Sequence, residues 1–284
     1  MSADRFNKNL IVKILQYALL VVVAAFMMFP IFWIFSNSLR TLPGISHFPP
    51  RLFPENPQFM NYVEVIRDSN ALIYFRNTMI LIIANTVGTL ISSSMVAYPL
   101  ARLEFTGKKF FFALILATMM VPAVTTIIPQ FIIFRTLGWL DSLWPMIVPG
   151  FFAFPYNVFL FRQFFMTIPK SLDEAAKCDG CNQWQIFAVM IVPLSKPIFI
   201  TIGVLSAIWW WNELFLPLIY VQSHNWRPLT TGALAGFRVP AAPHMVQWNL
   251  QMAMAMLMII PPMILYLVAS KHIVQGIKST GLKD

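Results

Sequence analysis

Charged residues cut this chain into long apolar runs. Lys13 and Arg40 enclose 26 uncharged residues, Arg76 and Arg102 enclose 25, Lys109 and Arg135 enclose 25, and Asp141 and Arg162 enclose 20. Lys196 to Arg227 encloses 30 residues with Glu213 as the one charge, and Arg238 to Lys271 encloses 32. A helix crosses the hydrocarbon of a bilayer with about 20 apolar residues, so each run suffices for one crossing and is too short for two. The pattern predicts an all-α membrane protein with six transmembrane helices, at about 14–38, 77–101, 110–134, 142–162, 198–221 and 248–270. One transmembrane domain then covers residues 1–284, with a loop at 163–196 between spans four and five. The first run exceeds the apolar core of a signal peptide and is followed by polar Ser36-Asn37-Ser38, so it reads as a retained helix.

Composition agrees with a membrane setting. Apolar residues make up 58% of the chain and charged ones 11%, against about 25% charged in a soluble domain. The net charge of +9 does not point to nucleic acid, because the cations are scattered between apolar runs and form no stripe. Six spans put both termini on one side. With the termini in the cytosol, all ten lysines and three arginines face inward, and seven arginines face outward. The positive-inside rule favours that orientation. Outside, a loop at about 41–72 carries Pro43, Pro49, Pro50, Pro54 and Pro57, which favour ordered, non-repetitive structure. Prolines in or near the spans, among them Pro99, Pro122, Pro149 and Pro261, read either as broken helices around a moving pathway or as the ordinary abundance of proline in membrane helices.

The inner loop has legible local signals. Ser171 with Glu174 three residues on is a capping-box pattern, and Asp173 and Glu174 suit the positive end of a helix. Leu172, Ala175 and Ala176 share a face at helical spacing. Gly180 is a natural stop. Asn182 with Gln185 caps a second helix running through Trp184, Ile186 and Phe187 to Pro193. The first helix is then about two turns, below the roughly 12–15 residues that stand alone in water. It gains stability either by docking in a partner's groove or by resting on the membrane through Trp184 and Phe187.

Glu174-Ala175-Ala176, Gly180 and Met190-Ile191-Val192-Pro193 resemble the EAA motif of the permeases of binding-protein-dependent ABC importers, whose pattern is E-A-A-x-x-x-G followed nine residues later by I-x-L-P. Asp179, Leu194 and Pro197 are similar to the carbohydrate branch, of the maltose permease second-subunit type. The likeness runs over nearly the whole chain, through Tyr98-Pro99-Leu100-Ala101-Arg102-Leu103, Phe105-Thr106-Gly107-Lys108, Arg162-Gln163-Phe164-Phe165, Trp211-Asn212-Glu213 and Val274-Gln275-Gly276. The resemblance implies a bacterial or archaeal inner-membrane subunit that pairs with a homologous second permease around one path. Two ATP-binding-cassette ATPase subunits dock on the cytosolic face and a solute-binding protein docks outside. Each EAA helix seats in an ATPase cleft, so the 163–196 loop becomes a cytosolic coupling helix–turn–helix with Glu174, Ala175, Ala176, Asp179, Gly180 and Pro193 as coupling residues. ATP and magnesium belong to the partner ATPase. The implied cargo is a sugar or oligosaccharide, with a polyol or a glycerol phosphate as the alternative.

The chain itself carries no engine, since no G-x-x-x-x-G-K-[ST] occurs. Glu213 is the single carboxylate within a run. With Trp211 and Asn212 it could line a sugar path, or it could sit in an outer aromatic belt and hold a neighbouring helix. Cys178 and Cys181 have C-x-x-C spacing, but no second pair exists and the four histidines lie far away in sequence, so no metal site is expected. A membrane enzyme needs clustered acids or a nucleophile–base pair. A secondary transporter needs coupling carboxylates and inverted repeats. The sequence shows neither set. A six-span channel is the further alternative, and it has no use for a docking loop.

Overall fold

The computed structural model describes residues 2–68, 70–239 and 242–281. Pro240 and Lys283 lie outside the described residues. The chain is mostly helical. Helices α1 (Ser2–Ser38), α2 (Leu42–Ile45), α3 (Met60–Asp68), α4 (Ala71–Arg102), α5 (Lys108–Thr118) and α6 (Ala123–Thr136) come first. Next are α7 (Trp144–Ile147), α8 (Pro155–Thr167), α9 (Lys170–Cys178), α10 (Gln183–Gln185), α11 (Val192–Leu194) and α12 (Lys196–Asn212). The last helices are α13 (Phe215–Tyr220), α14 (Leu229–Ala235) and α15 (Trp248–Gly281). A short antiparallel ribbon, β1 (Arg238–Val239) with β2 (Ala242–Val246), is an element the apolar pattern gave no sign of.

Among the described residues, four stretches are long and apolar enough to cross a membrane: Ile11–Ser38, Ala71–Arg102, Trp144–Thr167 and Trp248–Ser270. Two bent pairs raise the number to six if each is one crossing. They are α5 with α6, bent by 91°, and Gln183–Leu194 with α12, bent by 76°. Proline explains where these axes break. Pro122 is extended at φ −61°, ψ 128° just before α6, and proline also pushes its predecessor out of helical geometry. Pro197 sits in the first turn of α12, where the missing N–H costs nothing. Pro30, Pro99, Pro261 and Pro262 instead lie inside continuous helices.

Contacts divide the chain into two units, Met1–Ser69 with Ala235–Ile260, and Asn70–Leu234 with Pro261–Asp284. In the first unit a polar network orders the proline-rich segment. Asn61 Nδ2 donates to the Ser38 and Arg40 carbonyls at 2.7 and 2.9 Å. The Ser38 and Tyr62 hydroxyls are 2.6 Å apart, and Asn249 Nδ2 donates to Asn61 Oδ1 at 3.3 Å.

The second unit is built around α4. Thr78, Leu81, Asn85, Thr89, Ser93, Ala97 and Ala101 are buried at spacings of three and four, so they form one stripe of mostly small residues. Small residues let helices approach closely where lipid gives no hydrophobic drive. The hydroxyls bond their neighbours. Ser93 accepts from the Phe154 amide at 3.1 Å, Thr89 accepts from Asn157 Nδ2 at 3.0 Å, and Thr78 accepts from the Leu229 amide at 2.8 Å. Towards the other end of the unit, Asp141 Oδ1 accepts from the Gln222 and Ser223 amides at 2.9 and 2.7 Å. The Ser223 amide is the main reason its carboxyl titrates below the ordinary aspartate range.

The Tyr74 ring on α4 packs against Gly232 of α14, and a β-carbon at Gly232 would come within 2.1 Å of that ring. An aromatic ring on a packed helix cannot give way as a flexible chain end does. Gly232→Ala is therefore expected to cost about 1–3 kcal/mol. A clear drop in the thermal unfolding midpoint of the purified protein checks this, and an unchanged midpoint contradicts the packing.

Candidate functional site

The loop after α8 folds as two short helical pieces against the end of α4. The first, α9, is nine residues long. It starts at Lys170 with Pro169 in the capping position and no side-chain cap, so the Ser171–Glu174 capping box expected from sequence does not form. The helix begins ahead of Ser171, so Ser171 lies inside its first turn and not at the capping position. The Asp173 side chain, 11% exposed, is taken by Arg102 of α4. Arg102 Nε and Nη2 each reach one carboxylate oxygen at 2.8 Å. The same guanidinium donates to the carbonyls of Phe165, Ile168 and Pro169. One side chain thus satisfies the carbonyl end of α8 and anchors the first turn of α9.

Gly180 ends α9 with φ +83°, the left-handed conformation that glycine adopts at least cost. The Cys181 amide bonds the Ala176 carbonyl at 2.9 Å and the Gly180 amide bonds the Lys177 carbonyl at 3.0 Å, the paired bonds of a Schellman motif. That motif lays Cys181 back against the apolar core beside Ala176 and leaves Cys178 exposed. Among the described residues, no three His, Cys, Asp or Glu side chains form a group able to hold a metal.

The second piece begins with the expected capping box. Asn182 Oδ1 accepts from the Gln185 amide at 2.9 Å, and Gln185 Oε1 accepts from the Asn182 amide at 2.7 Å. A π-helical stretch, Ile186–Ile191, then precedes Pro193. Proline has no N–H and its ring crowds the carbonyl four residues back, so a widened turn accommodates it. Ile186 and Ile191 are buried with Phe161, Phe165, Tyr98 and Ala101. Tyr98 of α4 ties this piece down as well. Its hydroxyl donates to Gln183 Oε1 at 2.9 Å and its ring lies 5.1 Å from that of Phe187.

The motif residues therefore divide by face. Asp173 and Ala176 point inward, whereas Glu174, Ala175, Asp179, Gly180 and Pro193 are exposed. Ala175 and Ala176, grouped on one face in the sequence reading, differ: Ala175 is exposed and Ala176 is half-buried, because the buried stripe follows Asp173 and Ala176 at a spacing of three. Trp184 and Val189, 67% and 75% exposed, extend the outward surface.

Trp211, Asn212 and Glu213 do not converge. Trp211 is buried edge-on against Phe75 at 6.2 Å. Asn212 bonds back to the Ile208 carbonyl at 2.8 Å. Glu213 sits in the break between α12 and α13, where Oε1 accepts from the Leu216 amide at 2.9 Å. Its own carbonyl accepts from the Thr230 hydroxyl at 2.6 Å.

The family model for the binding-protein-dependent transport system inner membrane component matches residues 88–279, from the middle of α4 through the loop and nearly to the end of α15. The chain belongs to that family. The probable ABC transporter permease protein YurM of Bacillus subtilis is 34% identical over 74% of this permease and 69% of that protein. The sulfoquinovosyl glycerol transport system permease protein SmoH of Agrobacterium fabrum is 30% identical, covering 90% of this chain and 89% of its own. The trehalose transport system permease protein SugB of Mycobacterium tuberculosis is 32% identical, covering 92% and 94%. A chain in the crystal structure of a bacterial ABC transporter involved in the import of the acidic polysaccharide alginate superposes with a TM-score of 0.81 at 28% identity. That match covers 92% of this chain and 96% of the other.

Sequence reasoning singled out the motif and missed its anchor. Arg102 and Tyr98 were visible as a matching segment without a role, and Asp173 only as a helix-end charge. Arg102→Ala would strand a buried carboxylate and three carbonyls, a loss of about 3–5 kcal/mol. Thermal unfolding should register it, and a midpoint equal to wild type would remove Arg102 as the anchor. In contrast, Glu213→Gln keeps the acceptor for the Leu216 amide and should stay within about 0.5 kcal/mol of wild type, while Glu213→Leu should lose about 1 kcal/mol. Equal stability of the two variants contradicts a role for the bond from the Leu216 amide to Glu213. A transport defect in a fully stable Glu213→Gln protein would place the charge in the solute path.

Proposed function

We propose that this permease is one half of the membrane path of an ATP-driven, binding-protein-dependent carbohydrate importer. Family membership supports the importer. The sugar and glycoside transport named for its relatives supports the cargo class, and a polyol or glycerol phosphate fits less well with those names. Six crossings, at about 14–38, 77–101, 110–134, 142–162, 198–221 and 248–270, form one domain over residues 1–284 with both termini in the cytosol. The second half of the path is a homologous permease. Two ATPase subunits hold ATP and magnesium, and a solute-binding protein delivers cargo from outside.

The observation that carries this reading is α9. It is too short to stand alone, its inward face is fixed to α4, and its outward face offers Glu174, the small Ala175, and the Asp179–Gly180 turn. A small-residue face lets a helix lie close in a groove. Closure of the ATPase pair would push α9, and through Arg102 the push would reach a transmembrane helix without passing through a flexible joint. Glu174, Ala175 and Gly180 act at the groove, Ala176 holds the helix to its own subunit, and Pro193 shapes the return into α12. Trp211, Asn212 and Glu213 are assigned to the walls of the path only through the bend they stabilise.

Ala175→Arg and Gly180→Trp both thicken the outward face. In proteoliposomes carrying the whole complex with its binding protein, uptake should fall by at least tenfold for a loss of about 1.4 kcal/mol of docking, while the ATPase hydrolyses ATP without transport. Uptake at the wild-type rate by either variant sinks the docking assignment.

A further inference from the structure

Beside the α4–α9 junction lies a cavity of about 330 Å³ that the transport reading does not use. It is lined by the cations Lys108, Lys109 and Arg162, the carboxylate Glu104, and the apolar Phe112, Ala113 and Leu116. Glu104 is already engaged, with Lys108 Nζ at 3.4 Å and Lys170 Nζ at 3.7 Å. The balance of charge around the cavity is therefore positive.

Arg162 is held ready. Its guanidinium lies 4.0 Å over the Phe112 ring, a cation–π contact that fixes the plane. Its Nε donates to the Leu100 carbonyl at 3.1 Å. Helix α5 begins at the same place. Its capping residue is Gly107, in the left-handed conformation and with no side chain to offer the first amides. Amides at a helix start attract anions. On the same helix Phe110 and Leu114 are exposed apolar residues, as expected of a surface that meets acyl chains.

We propose that this cavity binds an anionic phospholipid, its phosphate headgroup between Lys108, Lys109 and Arg162 and an acyl chain along Phe112, Ala113 and Leu116. A free phosphate ion would use the cations and leave the apolar wall empty. An acidic protein loop would likewise gain little from that wall. Basic pockets between membrane helices are suited to anionic headgroups. Assignment to the inner leaflet rests on the topology proposed above, but binding itself does not. A lipid here would touch α5, α8 and, through Glu104 and Lys170, the first residue of α9, so the surrounding lipid would bear on the coupling loop.

The test is lipid retention by the complete complex, taken from nanodiscs of equal phosphatidylcholine and phosphatidylglycerol and read by native mass spectrometry. The wild type should retain phosphatidylglycerol selectively. Lys109→Gln, an exposed position, should weaken that selectivity roughly fivefold, as expected for one surface cation, and Arg162→Gln should weaken it further. Ala113→Trp, which fills the cavity from an exposed position, should abolish it. Retention in Ala113→Trp equal to wild type overturns the proposal. Displacement of the lipid by millimolar inorganic phosphate alone would make this a phosphate-ion site, and loss of the ATPase subunits instead of lipid from Lys109→Gln would make it a protein contact. Either result also overturns the proposal. Uptake is not read in this experiment, so its failure and that of the carbohydrate-importer reading are separable.

Discussion

A buried arginine fork organises the working end of this permease. Arg102 ends α4 and meets Asp173 through two parallel bonds while donating to three carbonyls around the end of α8. Only two residues, Ile168 and Pro169, separate α8 from α9. The carbonyls left at the end of α8 carry partial negative charge and need donors. A planar, permanently charged group with five donors meets that need and a carboxylate together, which lysine could not do. Tyr98, one helical turn earlier, secures the second half of the loop through Gln183 and Phe187. Both halves of the loop therefore hang on one end of one membrane helix.

This arrangement explains the division of labour along the motif. Residues that face inward hold α9 against its own core, and Glu174, Ala175, Asp179 and Gly180 are left exposed. The Schellman turn at Gly180 closes α9 using backbone bonds alone, so the outward surface there stays small. Beyond it, the π turn before Pro193 and the 76° bend redirect the chain into α12. The small-residue stripe of α4 lets α8 and α12 pack closely onto the helix that carries the fork. Stiffness at the junction and close packing along α4 tie the loop to that helix.

Much of this was legible in the sequence, and what was hidden has physical reasons. Runs bounded by charge located the long apolar segments, because burial of charge in lipid is costly whatever the fold. They gave no warning that the 110–134 run turns by 91°, since apolarity reports solvent and says little about axis direction. Asn182 with Gln185 could be read locally because both partners lie within one turn. Ser171 with Glu174 has the same pattern and fails, because α9 begins ahead of Ser171, with Asp173 in its first turn held by a residue 71 positions away. A contact at that separation leaves no local trace. The same burial turned Ala176 inward and left Ala175 outward, although spacing had grouped the two on one face. Glu213 was rightly seen as unusual, yet its partner is a backbone amide three residues on.

The central claim is that α9 and the end of α4 move as one body when ATP is bound and hydrolysed. It is tested most directly by spin-label distances between Lys177→Cys on α9 and Met95→Cys on α4, both exposed, with Cys178 and Cys181 replaced. The measurement is made by pulsed electron resonance on the whole complex, without nucleotide and with ATP trapped. The account predicts the same mean distance and width in both states. A shift larger than the spread of the label rotamers would show that the loop swings independently of the span, and would contradict it.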